Sequence, residues 1–191
     1  SCRGCPLFLP LRCRGVPACL CRNARPRSPR ARVVWTGARG FIGQAVVRRL
    51  LRDGLDGRAV KIVALLRETA KLPAELQGQV EIHVMDLALA SIESIAAGCG
   101  KGAVVIHLAA NAAVTGGEQG YRNNIRSTER LLDALRQQQC ERIVYASSIG
   151  AVDRMPGDRC DSPLDEHAPP NPLTPYGAGK LEGARRVGQS W

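Results

Sequence analysis

A doubly wound α/β fold, a parallel sheet covered by helices on both faces, is the architecture the sequence predicts. Three observations carry that expectation. From Arg32 onward, short apolar runs alternate with stretches of helical periodicity. The runs are apolar at nearly every position, which suits strands buried on both faces rather than one. Three glycines spaced three apart, Gly37, Gly40 and Gly43, stand where the first run meets the first helical pattern, the place where such folds hold phosphate groups.

The elements follow in order. "RVVWTGA" is a short, β-branched run and reads as the first strand. "FIGQAVVRRLLRDG" puts Ile42, Val46, Val47, Leu50 and Leu51 on one helical face, with Gly54 as the stop. "AVKIVALL" (59–66) is a second strand, and "ETAKLPAELQG" a short broken helix or loop. "VEIHV" (80–84) is a third strand, followed by a short helix over 89–100. "AVVIHLAA" (103–110) is a fourth strand. A helix over 121–139 carries Ile125, Leu131, Leu132 and Leu135 on its apolar face. "RIVYASS" (142–148) is a fifth strand, a Pro-rich loop covers 153–175, and a last helix begins near Tyr176.

The charge divides unevenly. The chain of 191 residues has 27 Lys and Arg against 17 Asp and Glu. Eight of the arginines fall within residues 1–32, which hold no acid, so 19 basic residues face 17 acidic ones from 33 onward. The basic character belongs to a leader, not to a nucleic-acid-binding body, which has no basic stripe interleaved with aromatics. Residues 1–31 are therefore expected to form a disordered basic leader, separate from a domain over 32–191. Arg-rich, acid-poor leaders resemble organelle transit peptides. A cytoplasmic protein is expected, or an organellar one if the leader is a targeting segment. Five of the eight cysteines lie in the leader at irregular spacing without a nearby His, so no metal site is predicted. No apolar run reaches about 18 residues, so no membrane span is predicted.

The glycines have distinct physical tasks. Gly37 allows a tight turn, Gly40 lets backbone N–H groups approach a phosphate, and Gly43 lets the helix pack close to the strand. The amides near Phe41 and Ile42 are the expected donors. Tyr176 and Lys180 are four apart at the start of a helix, which puts phenol and ammonium on one face. A nearby cation favours the phenolate, so Tyr176 could exchange a proton with a substrate oxygen near neutral pH. Ser148 could hydrogen-bond the same oxygen. His107, inside an apolar strand, reads as a satisfied core residue; His83 and His167 carry no functional signal.

"TGARGFIG" is T-G-x-x-G-x-x-G, not the simple G-x-G-x-x-G. Together with "HVMDLA", "VIHLAANAAV", "NNIRSTERLLDAL", "RIVYASS" and the Y-x-x-x-K of "YGAGK", it resembles the extended short-chain dehydrogenase/reductase family, also called the NAD-dependent epimerase/dehydratase family. The resemblance runs from about 32 to 191. It implies adenine contacts at Asp86 and Leu87, a cofactor border at Ala109 and Ala110, a catalytic Ser148, Tyr176 and Lys180, a nicotinamide-ribose contact at Lys180, and a proton-path support at Asn124. Ser127 stands where the family has Gly. It further implies a small-molecule substrate and leaves room for a homodimer of a full-length form. The family continues for well over a hundred residues past its catalytic helix, so the chain reads as the cofactor-binding part of a longer protein.

Arg67 stands at the end of the second strand, where an acid would bind the ribose hydroxyls of NAD, and Arg39 lies inside the glycine turn. NADP is the expected cofactor, with NAD second; Glu68 could serve NAD if the register slips by one. Ile149, Gly150 and Ala151 after Ser148 lack the acidic pair of the family's dehydratases. The expected activity is oxidation or reduction at a hydroxyl/carbonyl centre, with nucleotide-sugar epimerisation and a non-catalytic dinucleotide-binding module or sensor as alternatives.

Overall fold

The computed structural model describes residues 31–67, 72–111, 117–153 and 167–190. Residues 1–30 of the leader expected over 1–31, the alternative acid Glu68 and Cys160 lie outside the described residues. Five strands, β1 (Ala31–Thr36), β2 (Val60–Leu66), β3 (Glu81–Val84), β4 (Val104–His107) and β5 (Arg142–Tyr145), form one sheet in the order β3-β2-β1-β4-β5. Every pairing is parallel. Four helices connect and cover them: α1 (Phe41–Asp53), α2 (Ile92–Cys99), α3 (Gly117–Gln137) and α4 (Pro175–Ser190). The chain turns outward in both directions from β1, so a crevice opens where β1 and β4 end side by side.

The near-continuous apolarity of the strands has a direct structural cause. Alternate residues feed opposite cores, because successive side chains in a strand point to opposite faces. Val34, Val63, Leu65 and Val105 pack with Ile95, Leu131 and Leu135 of α2 and α3. Trp35, Ile62, Ala64 and Leu66 pack on the other face with Val47, Leu50 and Leu51 of α1. Burying each large side chain contributes roughly 1.5–3 kcal/mol. At the edges the cover thins: Ile82 and Val84 of β3 and Val144 of β5 are partly exposed.

Several boundaries differ from the sequence expectation. Ala31 already pairs with Val60 in β1 rather than closing the leader. The segment before Ile92 folds as turns, and α2 starts at the Ser91 N-cap, whose side chain accepts from Ser94 N–H. α3 begins at Gly117, four residues early. β5 stops at Tyr145 and does not reach Ser148; the backbone there turns to form the 3-10 turn Ile149–Ala151, which Ser148 caps. Ile42 is 62% exposed and does not share the buried face of Val47. It stands in the first turn of α1, above the point where the helix meets the sheet.

Candidate active site

The first strand–helix junction is built around backbone contacts that side chains would break. Gly37 has φ +77°, and a Cβ on it would lie 2.7 Å from the carbonyl carbon of Leu108 and 2.8 Å from the nitrogen of Ala109. Left-handed backbone and close approach both require glycine here. A Cβ on Gly43 would overlap the carbonyl oxygen of Gly37, so α1 seats directly on the turn. Gly40 is the N-cap of α1 and offers no side-chain cap, and the first turn holds no acid. A Cβ there would sit 3.3 Å from the Gly37 carbonyl oxygen, in the space above the turn. The first N–H groups of α1 are thus uncapped and approachable, with the positive end of the helix dipole behind them. This cradle fits a pyrophosphate.

A cleft of about 450 Å³ runs past this turn. Its walls are Gly37–Gly40, Leu65–Arg67 at the end of β2, Met85–Ala88 after β3 and Leu108–Asn111 after β4, with Asn124 and Ser127 of α3 closing one side. The cleft therefore gathers Gly37, Arg39, Gly40, Arg67, Asp86, Leu87, Ala109, Ala110 and Asn124. Asp86 Oδ1 accepts the Ala88 N–H at 2.8 Å, which leaves its second oxygen for a ligand. Leu87 is buried in the core cluster beneath. Asn124 grips the cleft floor: its Oδ1 accepts from Asn111 N at 2.7 Å and its Nδ2 donates to Asn111 O at 3.0 Å. Both ends of its amide are engaged in this clamp.

Ser148, Tyr176 and Lys180 do not line that cleft; they belong to the neighbouring end of β5. Lys180 is 4% exposed. Its Nζ donates to the Ala146 carbonyl at 2.6 Å and sits 4.9 Å from the Tyr145 ring centroid and 6.0 Å from that of Tyr176. Burial pushes its pKa below the usual lysine value. Tyr145 is shielded enough that burial raises its pKa to about 12. Ser148 Oγ accepts the Gly150 N–H at 3.2 Å, so its own proton remains to be donated. A Cβ on Gly177 would overlap the Gly150 carbonyl oxygen, which places Tyr176 and Ser148 on segments in direct backbone contact.

The profile of the NAD dependent epimerase/dehydratase family matches residues 33–189. The chain belongs to this family. Among its relatives, a UDP-glucose 4-epimerase of Mycolicibacterium smegmatis is 33% identical over 156 residues, which is 80% of this chain and 49% of that protein. A dTDP-6-deoxy-L-talose 4-dehydrogenase (NAD(+)) of Aggregatibacter actinomycetemcomitans is 27% identical over 148 residues, 78% of this chain and 51% of that one. The fold superposes on MoeE5 in complex with UDP-glucose and NAD with a TM-score of 0.68 at 31% identity, over 84% of this chain and 49% of that one. The chain spans about half the length of the curated relatives it matches.

Within the epimerase/dehydratase family a nicotinamide dinucleotide is the cofactor type, and both MoeE5 and the Thermus thermophilus UDP-glucose 4-epimerase hold NAD. NADP as first choice finds no support among these relatives, although Arg39 and Arg67 both border the cleft. Among the described residues, no group of His, Cys, Asp and Glu could hold a metal ion, and no helix is long and apolar enough to cross a membrane. Sequence reasoning missed the residues that hold the site from beneath: Thr36, Asn111, Thr128 and Tyr145. Thr36 Oγ1 accepts from both Leu108 N and Ala109 N, at 3.2 and 3.1 Å. The available signal was polarity out of place: a Thr closing an apolar strand, and a Thr one turn before Leu131 and Leu132 on a buried helical face.

Proposed function

We propose that residues 32–190 form the cofactor-binding domain of an NAD-dependent enzyme acting on a secondary hydroxyl/carbonyl centre, with a nucleotide sugar as substrate class and 4-epimerisation as net reaction. The observation that carries the reading is Lys180, a lysine buried to 4% exposure and held one helical turn from Tyr176 beside a glycine-turn cleft. Structural lysines seldom accept such burial without a carboxylate partner. The relatives' names support the substrate class. A nicotinamide dinucleotide, when bound, supplies the hydride acceptor and donor.

The chain's own residues do the rest. The turn Gly37–Ile42 would hold the pyrophosphate on backbone amides, and Asp86 would offer its second oxygen to the adenine. Asn124 fixes Asn111 and with it the floor of the cleft that would hold the cofactor. The Tyr176 phenolate accepts the proton of the substrate hydroxyl as a carbonyl forms, and the resulting phenol returns it when the carbonyl is reduced. The Lys180 ammonium favours the phenolate that the exchange requires. Ser148 donates its hydroxyl proton to the same substrate oxygen.

A second reading, net carbonyl reduction, is favoured by Ile149, which follows Ser148 and is 68% exposed, a surface suited to a less polar substrate. For the cofactor, NAD has the support of the relatives, and the cations Arg39 and Arg67 favour NADP. The test is on a longer polypeptide carrying these residues. UDP-glucose is incubated with cofactor and UDP-galactose is measured, for the wild type and Tyr176→Phe. Interconversion that the variant loses by about a hundredfold or more supports the reading. Stoichiometric NADPH consumption with a carbonyl substrate and no interconversion replaces it with the second.

A further inference from the structure

His107 lies at the centre of the sheet, 1% exposed, and the proposed chemistry does not use it. Its hydrogen bonds fix its protonation. At one side, Nδ1 is 2.7 Å from Thr36 Oγ1. That hydroxyl already accepts from the N–H groups of Leu108 and Ala109, so its own proton points to Nδ1 and Nδ1 is bare. At the other side, Nε2 is 3.1 Å from Thr128 Oγ1. Thr128 spends its proton on the Asn124 carbonyl at 3.0 Å, which can only accept, so Nε2 must carry the hydrogen. The two ends require the same tautomer.

The chain of contacts continues toward Lys180. Thr128 also stands beside the Tyr145 hydroxyl, close enough to act on its proton affinity. The Tyr145 ring lies 5.6 Å from the imidazole, and its face holds the Lys180 ammonium at 4.9 Å. Tyr145 and Lys180 are the titratable groups that face His107. Burial first, then the Lys180 charge, push the imidazole pKa down to about 3, so it stays neutral at working pH. We infer that His107 is a positioning residue: as the neutral Nε2–H tautomer it ties the glycine turn, through Thr36, to the Tyr145 shelf that carries Lys180. The inference rests on the reading of Tyr176 and Lys180 as the proton-handling pair. One polar line then holds the two parts of the site as a single rigid unit, and any shift at the turn is felt at the shelf.

The test uses the whole chain with ¹⁵N-labelled histidine and ¹³C-labelled tyrosine. The expected spectrum assigns His107 as the Nε2–H tautomer, unchanged from pH 5.5 to 9. A bare Nε2, or titration in that range, overturns the inference. Thr36→Val, on the far side of His107, should move the Tyr145 ring signals, while Thr36→Ser restores them; unmoved signals in a folded Thr36→Val protein overturn it too. Should Thr36→Val not fold, Thr128→Val interrupts the same line from the other end and should release the tautomer. Thr128 does not line the cleft, yet Thr128→Val should weaken NAD binding about threefold or more, with Thr128→Ser unaffected; equal affinity in Thr128→Val removes the coupling. If the wild type binds neither NAD nor NADP, the proposed function fails, while the tautomer and tyrosine spectra still decide the role of His107.

Discussion

Replacing Lys180 by Met should leave the protein at least as stable at neutral pH while removing the proposed proton exchange. Three effects compete in the folded state. The ammonium loses a charge-assisted hydrogen bond to Ala146, worth about 1.5–3 kcal/mol. It also loses its place over the Tyr145 ring, worth about 0.5–2 kcal/mol. Against these stands the cost of holding an ammonium at 4% exposure, several kcal/mol per ion. That cost is as large as the two gains together or larger, and burial lowers the Lys180 pKa in the same direction. Met fills a similar volume without the charge, and the expected result at pH 7 lies between no change and about 2 kcal/mol of added stability.

The pH dependence gives the sharper check. Below its lowered folded pKa, Lys180 is charged in both states and its burial cost is fully present. As pH rises from that value toward the unfolded value of 10.5, the unfolded chain holds more protons than the folded one. The wild type then gains stability, by at most about 1.4 kcal/mol per pH unit. Lys180→Met lacks this rise. The buried thiols and Tyr145 have raised values and act in the opposite direction at high pH, but they are common to both proteins and cancel in the difference. Urea unfolding of both proteins from pH 7 to 10.5 measures it. A difference in stability that stays flat across that range would refute the argument, because Lys180 would then be solvated as freely in the folded chain as in the unfolded one.

Three further outcomes can be checked. Gly37→Val should cost about 2–4 kcal/mol in urea unfolding, from left-handed strain and the approach to Leu108, and should lower dinucleotide affinity at least tenfold by calorimetry; wild-type affinity in the variant would mean that the turn is not the cradle. Arg67→Asp should reduce NADP affinity about tenfold while sparing NAD, the loss expected when a charge-assisted phosphate contact of about 1.5–3 kcal/mol disappears; a wild type that binds both cofactors equally leaves Arg67 no such role. Cys99, whose thiol burial pushes up to about 12, should resist iodoacetamide at pH 8 in the folded protein and react once the chain is unfolded, as read by mass spectrometry.

Local pattern was enough for the architecture and for the glycine turn. β1 over Val33–Trp35 and β2 over Ile62–Leu66 are apolar at successive positions because both faces of the sheet are covered, and that leaves a mark in the text of the chain. The turn glycines are legible for a similar reason: a left-handed backbone at Gly37 and a helix seated on a carbonyl at Gly43 exclude side chains locally. The spacing of Tyr176 and Lys180 also reads directly as one helical turn. What the sequence could not contain is where polar side chains are spent. Asn124 clamps Asn111 only because α3 passes the end of β4. Ile42 turns outward because the crevice, not the core, lies above the first turn of α1. β5 ends before Ser148 because Gly150 must meet Gly177 of α4. The line from Thr36 through His107 and Thr128 to Tyr145 joins β1, β4, α3 and β5, elements up to about a hundred residues apart in sequence. Hydrogen bonds of that kind are set by which elements become neighbours in the sheet, and only the tertiary structure decides that.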